Sequence, residues 1–381
     1  MCIRDRYGLN TAATVFDGKT KYIRITDIDE VTNRYSPNPV VSPQSGPVKE
    51  YKLNYGDLLF TRTGASTGKA YLYDSKDGDL YFAGFLIRFP IANASPAFVF
   101  NSVKSDQFSN WVRVMSMRSG QPGINAQEYS SFKFAAPAMP EQKKIAEFLG
   151  AVDEKIRLLQ SRHEQLTLYK KGVMHKIFAQ AIRFKADDGS DFPDWEFKRL
   201  SEIASRSTEK NKHDEHSRVL TNSAVLGIID QRDYFDKDIA NAKNLDGYYI
   251  VTKGDFVYNP RISATAPVGP IKRNHLGDGV MSPLYSVFRF NSKSADFYEQ
   301  YFETSHWHKY MKSVANYGAR HDRMAISTND FLAMPLPALH PDEQQKIADF
   351  LSAIDEKIEA VSAQIENMQS FKKGLLQQMF V

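Results

Sequence analysis

Apolar residues fall at helical spacing in two long stretches of the chain. In the first, Ile145, Phe148, Leu149, Val152, Ile156, Leu159, Leu166, Tyr169, Val173 and Ile177 share one face; in the second, Ile347, Phe350, Leu351, Ile354, Ile358, Val361, Ile365, Met368, Phe371, Leu375 and Met379 do. Over 38 residues this pattern predicts a helix about 57 Å long with one continuous apolar stripe. Proline-rich stops, Ala136-Pro137-Ala138-Met139-Pro140 and Leu336-Pro337-Ala338-Leu339-His340-Pro341, mark both helix starts. A stripe of that length needs a partner of equal length, so the two helices are expected to pair antiparallel. The predicted interface sets Ile145, Leu149, Val152, Ile156 and Leu159 against Ile347, Leu351, Ile354, Ile358 and Val361.

The two stretches are copies of one another. From Glu141 and from Glu343 they align without a gap at an offset of 202, and 17 of 38 positions are identical. The identities include Glu-Gln at 141 and 343, Asp-Glu-Lys at 153 and 355, and Lys-Lys-Gly at 170 and 372. A weaker copy precedes each helix. Tyr55-Gly56-Asp57-Leu58-Leu59-Phe60 matches Lys253-Gly254-Asp255-Phe256-Val257-Tyr258, and Leu86-Ile87-Arg88-Phe89 matches Val287-Phe288-Arg289-Phe290, each a turn or an alternating strand. Between these strands the copies diverge, Thr63-Gly64-Ala65-Ser66-Thr67-Gly68-Lys69 against Ile262-Ser263-Ala264-Thr265-Ala266-Pro267-Val268-Gly269. A shared scaffold with divergent polar loops is what two modules with different ligands require.

Composition narrows the chemistry. The 381 residues are 42% hydrophobic and 25% charged, with a net charge of +4 and a mean hydropathy of -0.45, as expected of a folded chain rather than a disordered or membrane-embedded one. One cysteine, Cys2, excludes intrachain disulfides and thiolate zinc sites and fits a reducing cytoplasm. The opening MCIRDR has no apolar core of a signal peptide and is similar to a translated sequencing adapter. Gly64 to Lys69 fails as a nucleotide-phosphate loop, since only three residues separate its glycines and Ala70, not Ser or Thr, follows the lysine. His163 is replaced by Ile365 in the second copy and reads as a helix-interface residue, and the Asp-Glu-Lys triplets read as solvated helix faces. No catalytic residue and no metal ligand is assigned.

The loops and the segments leading into each helix combine basic, glycine and aromatic residues, suited to phosphates and base edges. The candidate DNA-contacting residues are Arg24, Arg62, Thr63, Thr67, Lys69, Arg118 and Gln121 in the first copy, and Arg261, Ser263, Lys272, Arg273, Tyr317, Arg320 and Arg323 in the second.

With Pro140-Glu141-Gln142, Ile145-Ala146, Phe148-Leu149, Asp153-Glu154-Lys155-Ile156 and Lys171-Gly172 recurring at the same offset, and with Phe192-Pro193-Asp194-Trp195 opening the second module, the chain from Tyr7 to Val381 resembles the specificity (S) subunits of type I restriction-modification enzymes. The resemblance implies an α+β fold: two target-recognition domains with small mixed sheets, separated by two long antiparallel helices forming a coiled coil. The expected boundaries are 1–139 and 192–340 for the recognition domains, 140–180 and 341–381 for the helices, and 181–191 for a linker. Each domain would read half of an interrupted sequence in double-stranded DNA, the helices would dock two methylation subunits, and restriction subunits would join them. S-adenosylmethionine, ATP and magnesium are expected on those partners and none on this chain. A specificity subunit for a fused restriction-methylation enzyme fits the same residues. An adaptor that never touches DNA is the main alternative, and a chain that is itself a methyltransferase or nuclease finds no supporting motif. The equivalent of Trp195 would fall at about position -3, taking the Gly-Asp pairs as the guide, so the first module is expected to lack its opening.

Overall fold

The computed structural model describes residues 6–117, 122–212, 215–234, 245–291, 294–316 and 322–380. Two helices dominate it, Met139–Phe178 and Pro341–Met379. The chain divides into two compact units, 1–162 with 361–381, and 163–360. This division does not follow the chain, because each long helix gives part of its length to each unit.

In the first unit Leu149 packs with Phe98, Leu376 and Phe380, so the start of one helix lies beside the end of the other. In the second unit Met174, Ile177 and Phe178 share a core with Ile347, Ala348, Leu351 and Ile354, the same relationship reversed. The helices are therefore antiparallel. Of the predicted stripe, Leu149, Val152, Ile156, Leu159, Ile347, Leu351, Ile354 and Val361 are buried, while Ile145 and Ile358 are half-buried. Each fully buried side chain of this size contributes roughly 1.5–3 kcal/mol. The stripe serves more than the helix pair, since near each helix start it also seals the core of its own module.

Each module is built on a four-stranded antiparallel sheet of one topology. The order is Arg6–Tyr7, Leu86–Pro90, Asp57–Thr61, Ala70–Leu72 in the first, and Ala204–Ser207, Ser286–Phe290, Phe256–Tyr258, Ile271–Arg273 in the second. A parallel strand pair lies outside these sheets, between Lys21–Ile23 and Leu80–Phe82. Alternation explains why the central strands are buried on both faces. Leu58 and Phe60 face a helical core with Val99, Phe108 and Tyr129, while Leu59 faces a second core with Ile23, Leu80 and Phe82. Phe256 and Tyr258 face the equivalent helical core, with Val257 on the other side. Three short helices recur in both modules, Pro96–Ser102, Asp106–Ser116 and Ala126–Ser130, then Ala295–Phe302, His308–Val314 and Thr328–Leu332; the second module also has Leu200–Ile203 and Gln231–Tyr234.

The Gly-Asp signature has a physical cause. The Asp57 carboxylate accepts from Asn54 N at 2.8 Å and lies 3.7 Å from Arg88. Asp255, fully buried, accepts from Thr252 N at 2.8 Å and Arg289 Nε at 2.6 Å. The arginine on the neighbouring strand thus offsets the cost of burying the carboxylate.

Candidate nucleic-acid interface

In each module a polar loop joins two sheet strands: residues 62–69 precede Ala70–Leu72, and residues 259–270 precede Ile271–Arg273. Both loops are held by backbone pairing to the segment that enters the last short helix. Ile124 N donates to Arg62 O and Gly64 N to Pro122 O, each at 2.9 Å. The second module repeats this, with Met324 N to Pro260 O at 2.9 Å and Ile262 N to Asp322 O at 3.1 Å.

A buried tyrosine locks each loop from beneath. Tyr129 stacks on Phe60 with ring centroids 4.6 Å apart; its hydroxyl donates to Thr61 O at 2.7 Å and accepts from Gly68 N at 2.9 Å. At the equivalent place Tyr258 stacks on Phe331 at 5.0 Å and donates to Val268 O at 3.0 Å. The hydroxyl sits on opposite members of the stacked pair in the two copies, since Phe60 corresponds to Tyr258 and Tyr129 to Phe331. Burial pushes both phenols above their ordinary pKa, so both remain neutral donors. Beneath the second loop Asn222 donates to Val257 O at 2.7 Å, and Asn259 donates to Asn222 O at 2.9 Å. Gly269 is required there: its φ is +77°, and a Cβ would stand 2.0 Å from Asn259 O.

On this base the structure gathers several of the sequence candidates. The Arg62 guanidinium lies 4.9 Å from the centroid of the Tyr7 ring, Thr63 is half-buried, and the Thr67 hydroxyl donates to Gly64 O at 2.7 Å, tightening the loop. In the second module Arg261 and Arg323 are bridge partners. The Arg261 side chain is exposed and has no partner among the described residues, Ser263 shares a hydrogen bond with Thr265 at 3.1 Å, and Arg323 lies 3.5 Å from Asp322.

Four other candidates are bound up within their own modules. Lys69 donates to Ile28 O at 3.0 Å and reaches Glu30 at 3.2 Å, and Arg24 forms a bidentate pair with Asp27 at 2.8 and 2.9 Å. Lys272 is 2.6 Å from Glu303, and Arg273 bonds Asp296 and lies 3.3 Å from Glu299. These carboxylates hold the four side chains against their own modules. Arg118, Gln121, Tyr317 and Arg320 lie outside the described residues. Sequence reasoning missed Tyr7, Tyr129 and Tyr258; the stacked Phe/Tyr exchange between copies was the available signal for the last two.

No group of three or more His, Cys, Asp or Glu side chains able to hold a metal occurs among the described residues. No described helix is long and apolar enough to cross a membrane.

Two repeated modules each present one loop held from beneath, with a polar tip that differs from its twin's, an arrangement suited to two different ligand surfaces. Residues 3–168 match the family of the type I restriction modification DNA specificity domain. A putative type I restriction enzyme MjaX specificity subunit from Methanocaldococcus jannaschii is 24% identical over 97% of this chain and 85% of its own length. The MjaVIII specificity subunit of the same organism is 26% identical over 86% of this chain and 79% of its own. In fold the chain is similar to the S subunit of a type I restriction-modification system from M. genitalium, with a TM-score of 0.56 at 13% identity over 99% of this chain and 93% of that one. A chain from a structure on complex assembly and conformational transition of the type I R-M system gives 0.54 at 16% identity, over 97% and 94%. The first part of the chain thus matches that family, and most of its length is similar to type I restriction enzyme specificity subunits.

Proposed function

We propose that each module reads one half of an interrupted target in double-stranded DNA, the first through the loop around Arg62, Thr63 and Thr67, the second through Arg261, Ser263 and Arg323. The observation that carries this reading is the recurrence of a stacked Phe/Tyr clamp beneath two different loop tips. Preorganised loops lose little entropy on binding, so their side chains can discriminate bases at low cost. The antiparallel helices act as the scaffold on which two methylation subunits assemble, with restriction subunits joining that core. The chain itself performs no bond-making step. S-adenosylmethionine, ATP and magnesium belong to those partners, and the assembly works in the cytoplasm.

The test is binding of the chain assembled with its methylation partner to a selected duplex and to a scrambled one at fixed salt. Binding to the selected duplex should be at least about 10³-fold tighter, the lower end for specific recognition. Equal affinity overturns the reading. Arg62→Glu or Arg261→Glu should lower DNA affinity while partner assembly is retained, whereas unchanged affinity favours an adaptor that does not touch DNA.

A further inference from the structure

The repeat builds one cavity in each unit, and the two cavities differ in charge. The first, of about 740 Å³, is walled by Thr67 and Gly68 of the first loop, by Phe108 and Val112 of a short helix, and by Ile156 and Leu376 of the two long helices. The second, of about 730 Å³, has matching walls: Thr265 and Gly269 of the second loop, Trp307 and His308 at a short helix, and Met174 and Asp355 of the long helices. Volumes of this size are those of small-molecule sites.

The long helices supply the same charges to both. Asp153, Lys372 and Lys373 line the first cavity, and at the offset of 202 their equivalents Asp355, Lys170 and Lys171 line the second. The short helices do not. With Pro96–Ser102 and Ala295–Phe302 aligned through Phe98 and Phe297, an offset of 199, Lys104 of the first cavity falls where the second has Glu303.

That exchange leaves the second cavity balanced. Its three lysines, Lys170, Lys171 and Lys272, face three carboxylates, Asp355, Glu299 and Glu303. Lys170 reaches Asp355, and Lys272 reaches Glu303, each at 2.6 Å. Burial lowers the pKa of His306 and His308, so these two add no charge at neutral pH. In the first cavity five basic side chains, Arg34, Lys104, Arg157, Lys372 and Lys373, face the single carboxylate Asp153, which Lys372 already engages at 2.5 Å. Arg157 is paired along its own helix with Glu154. The side chains of Arg34, Lys104 and Lys373 make no hydrogen bond or ion pair among the described residues.

Lys104 is the most constrained of the three. Its ammonium lies 3.8 Å from the centroid of the Phe100 ring, a contact that favours the charge without neutralising it. Burial, Lys372 and Arg34 all lower its proton affinity, and Asp153 alone among the carboxylates opposes them. A recessed cation among charges of its own sign is costly until an anion joins it.

We propose that the first cavity is a binding site for a small phosphate-bearing anion, held by Lys104, Arg34 and Lys373 through charge-assisted hydrogen bonds, and that the second cavity is not. Walls from the loop, the short helix and both long helices restrict the occupant to a small molecule. Apolar Val103, Val112 and Leu376 beside the cations lower the local dielectric and strengthen their hold on it.

The test titrates inorganic pyrophosphate, without DNA, into the full chain at constant ionic strength set with sodium chloride. The expected result is saturable binding of one pyrophosphate per chain, followed by calorimetry. Lys104→Met should weaken it about tenfold or more, roughly the loss of one charge-assisted bond, and Lys373→Gln several-fold. The control Lys155→Gln, on an exposed helix face, should leave it unchanged. Bound pyrophosphate should also slow amide exchange at residues 31–34, which line the same cavity. Lys373 is exposed, so its variant folds normally and keeps the test valid should Lys104→Met fold poorly. Absence of saturable binding, or binding indifferent to both Lys104→Met and Lys373→Gln, would overturn the proposal. So would a loss of DNA affinity in these variants when the parent chain binds no pyrophosphate, which gives the cations to the DNA backbone instead.

Discussion

Lys372 Nζ lies 2.5 Å from Asp153 Oδ1, joining the end of the second long helix to the early part of the first. Applying the 202-residue offset to both members exchanges the helices and gives Lys170 and Asp355, which lie 2.6 Å apart. One ion pair thus occurs twice, once in each unit. Antiparallel helices satisfy this only in a register where the residue numbers of partners keep a constant sum, so the pairs fix the register as well as the direction.

The two pairs are not energetically equal. Asp355 also accepts from Gln300 Nε2 at 3.0 Å, and Gln300 is buried. Asp355→Ala strands that amide, so it is expected to cost about 1–2 kcal/mol more than Asp153→Ala, which leaves Lys372 able to reach water. Urea unfolding of both variants measures the difference. The Asp153–Lys372 pair alone should show a coupling of about 0.5–1 kcal/mol in a double-mutant cycle.

Removing the hydroxyl clamps should loosen one loop at a time. Tyr129→Phe leaves Thr61 O and Gly68 N only their mutual bond at 3.2 Å and should cost about 0.5–1.5 kcal/mol, whereas Tyr258→Phe leaves Val268 O without its donor and should cost about 1–2 kcal/mol of stability. Each should also relax base preference in one half of the target only, measured by binding to duplexes varied in one half at a time.

Gly64 and Gly269 both have positive φ, but their surroundings differ. Open space surrounds Gly64, so Gly64→Ala should cost about 1 kcal/mol from backbone strain alone. Gly269→Ala drives a Cβ against Asn259 O and is expected to cost several times more, visible as a far larger fall in melting temperature.

Lys104 lines a cavity of about 740 Å³ with Arg34, Arg157, Lys372, Lys373 and Asp153. Burial, reinforced by Lys372, holds its pKa down to about 7, while the Phe100 ring 3.8 Å away favours the charged form and partly opposes this. An unfolded lysine keeps its proton to about pH 10.4, so between about pH 7 and that value the unfolded state binds more protons. Stability from this group therefore rises with pH across that window and is at its lowest below it. Lys104→Met should raise the melting temperature at pH 6.5 and make a shrinking difference towards pH 10.

Much of this architecture is legible in the sequence because it is local and repeated. Helical spacing and the Glu-Gln starts disclose both long helices, and the Gly-Asp turns disclose the central strands. The candidate site is legible only in part. Lys69 and Lys272 read as free basic residues beside a loop, yet their acids, Glu30 and Glu303, come from distant segments that no periodicity connects to them. The tyrosine clamps are hidden for a similar reason, since each hydroxyl serves a loop from a different element in the two copies. Glu343 and Glu141 occupy the same place in the repeat and are opposite in burial, and Glu343 is bonded by Arg183 and Trp195, which lie about 150 residues away along the chain.

The most direct test of the account is selection of bound duplexes from a random library by the assembled complex, with residues 261–268 replaced by a loop of equal length and different polar residues. Two modules that read separately predict that the selected motif changes in one half alone, with the other half and the gap preserved. A motif altered in both halves, or unaltered, would contradict the assignment of one half-target to each module.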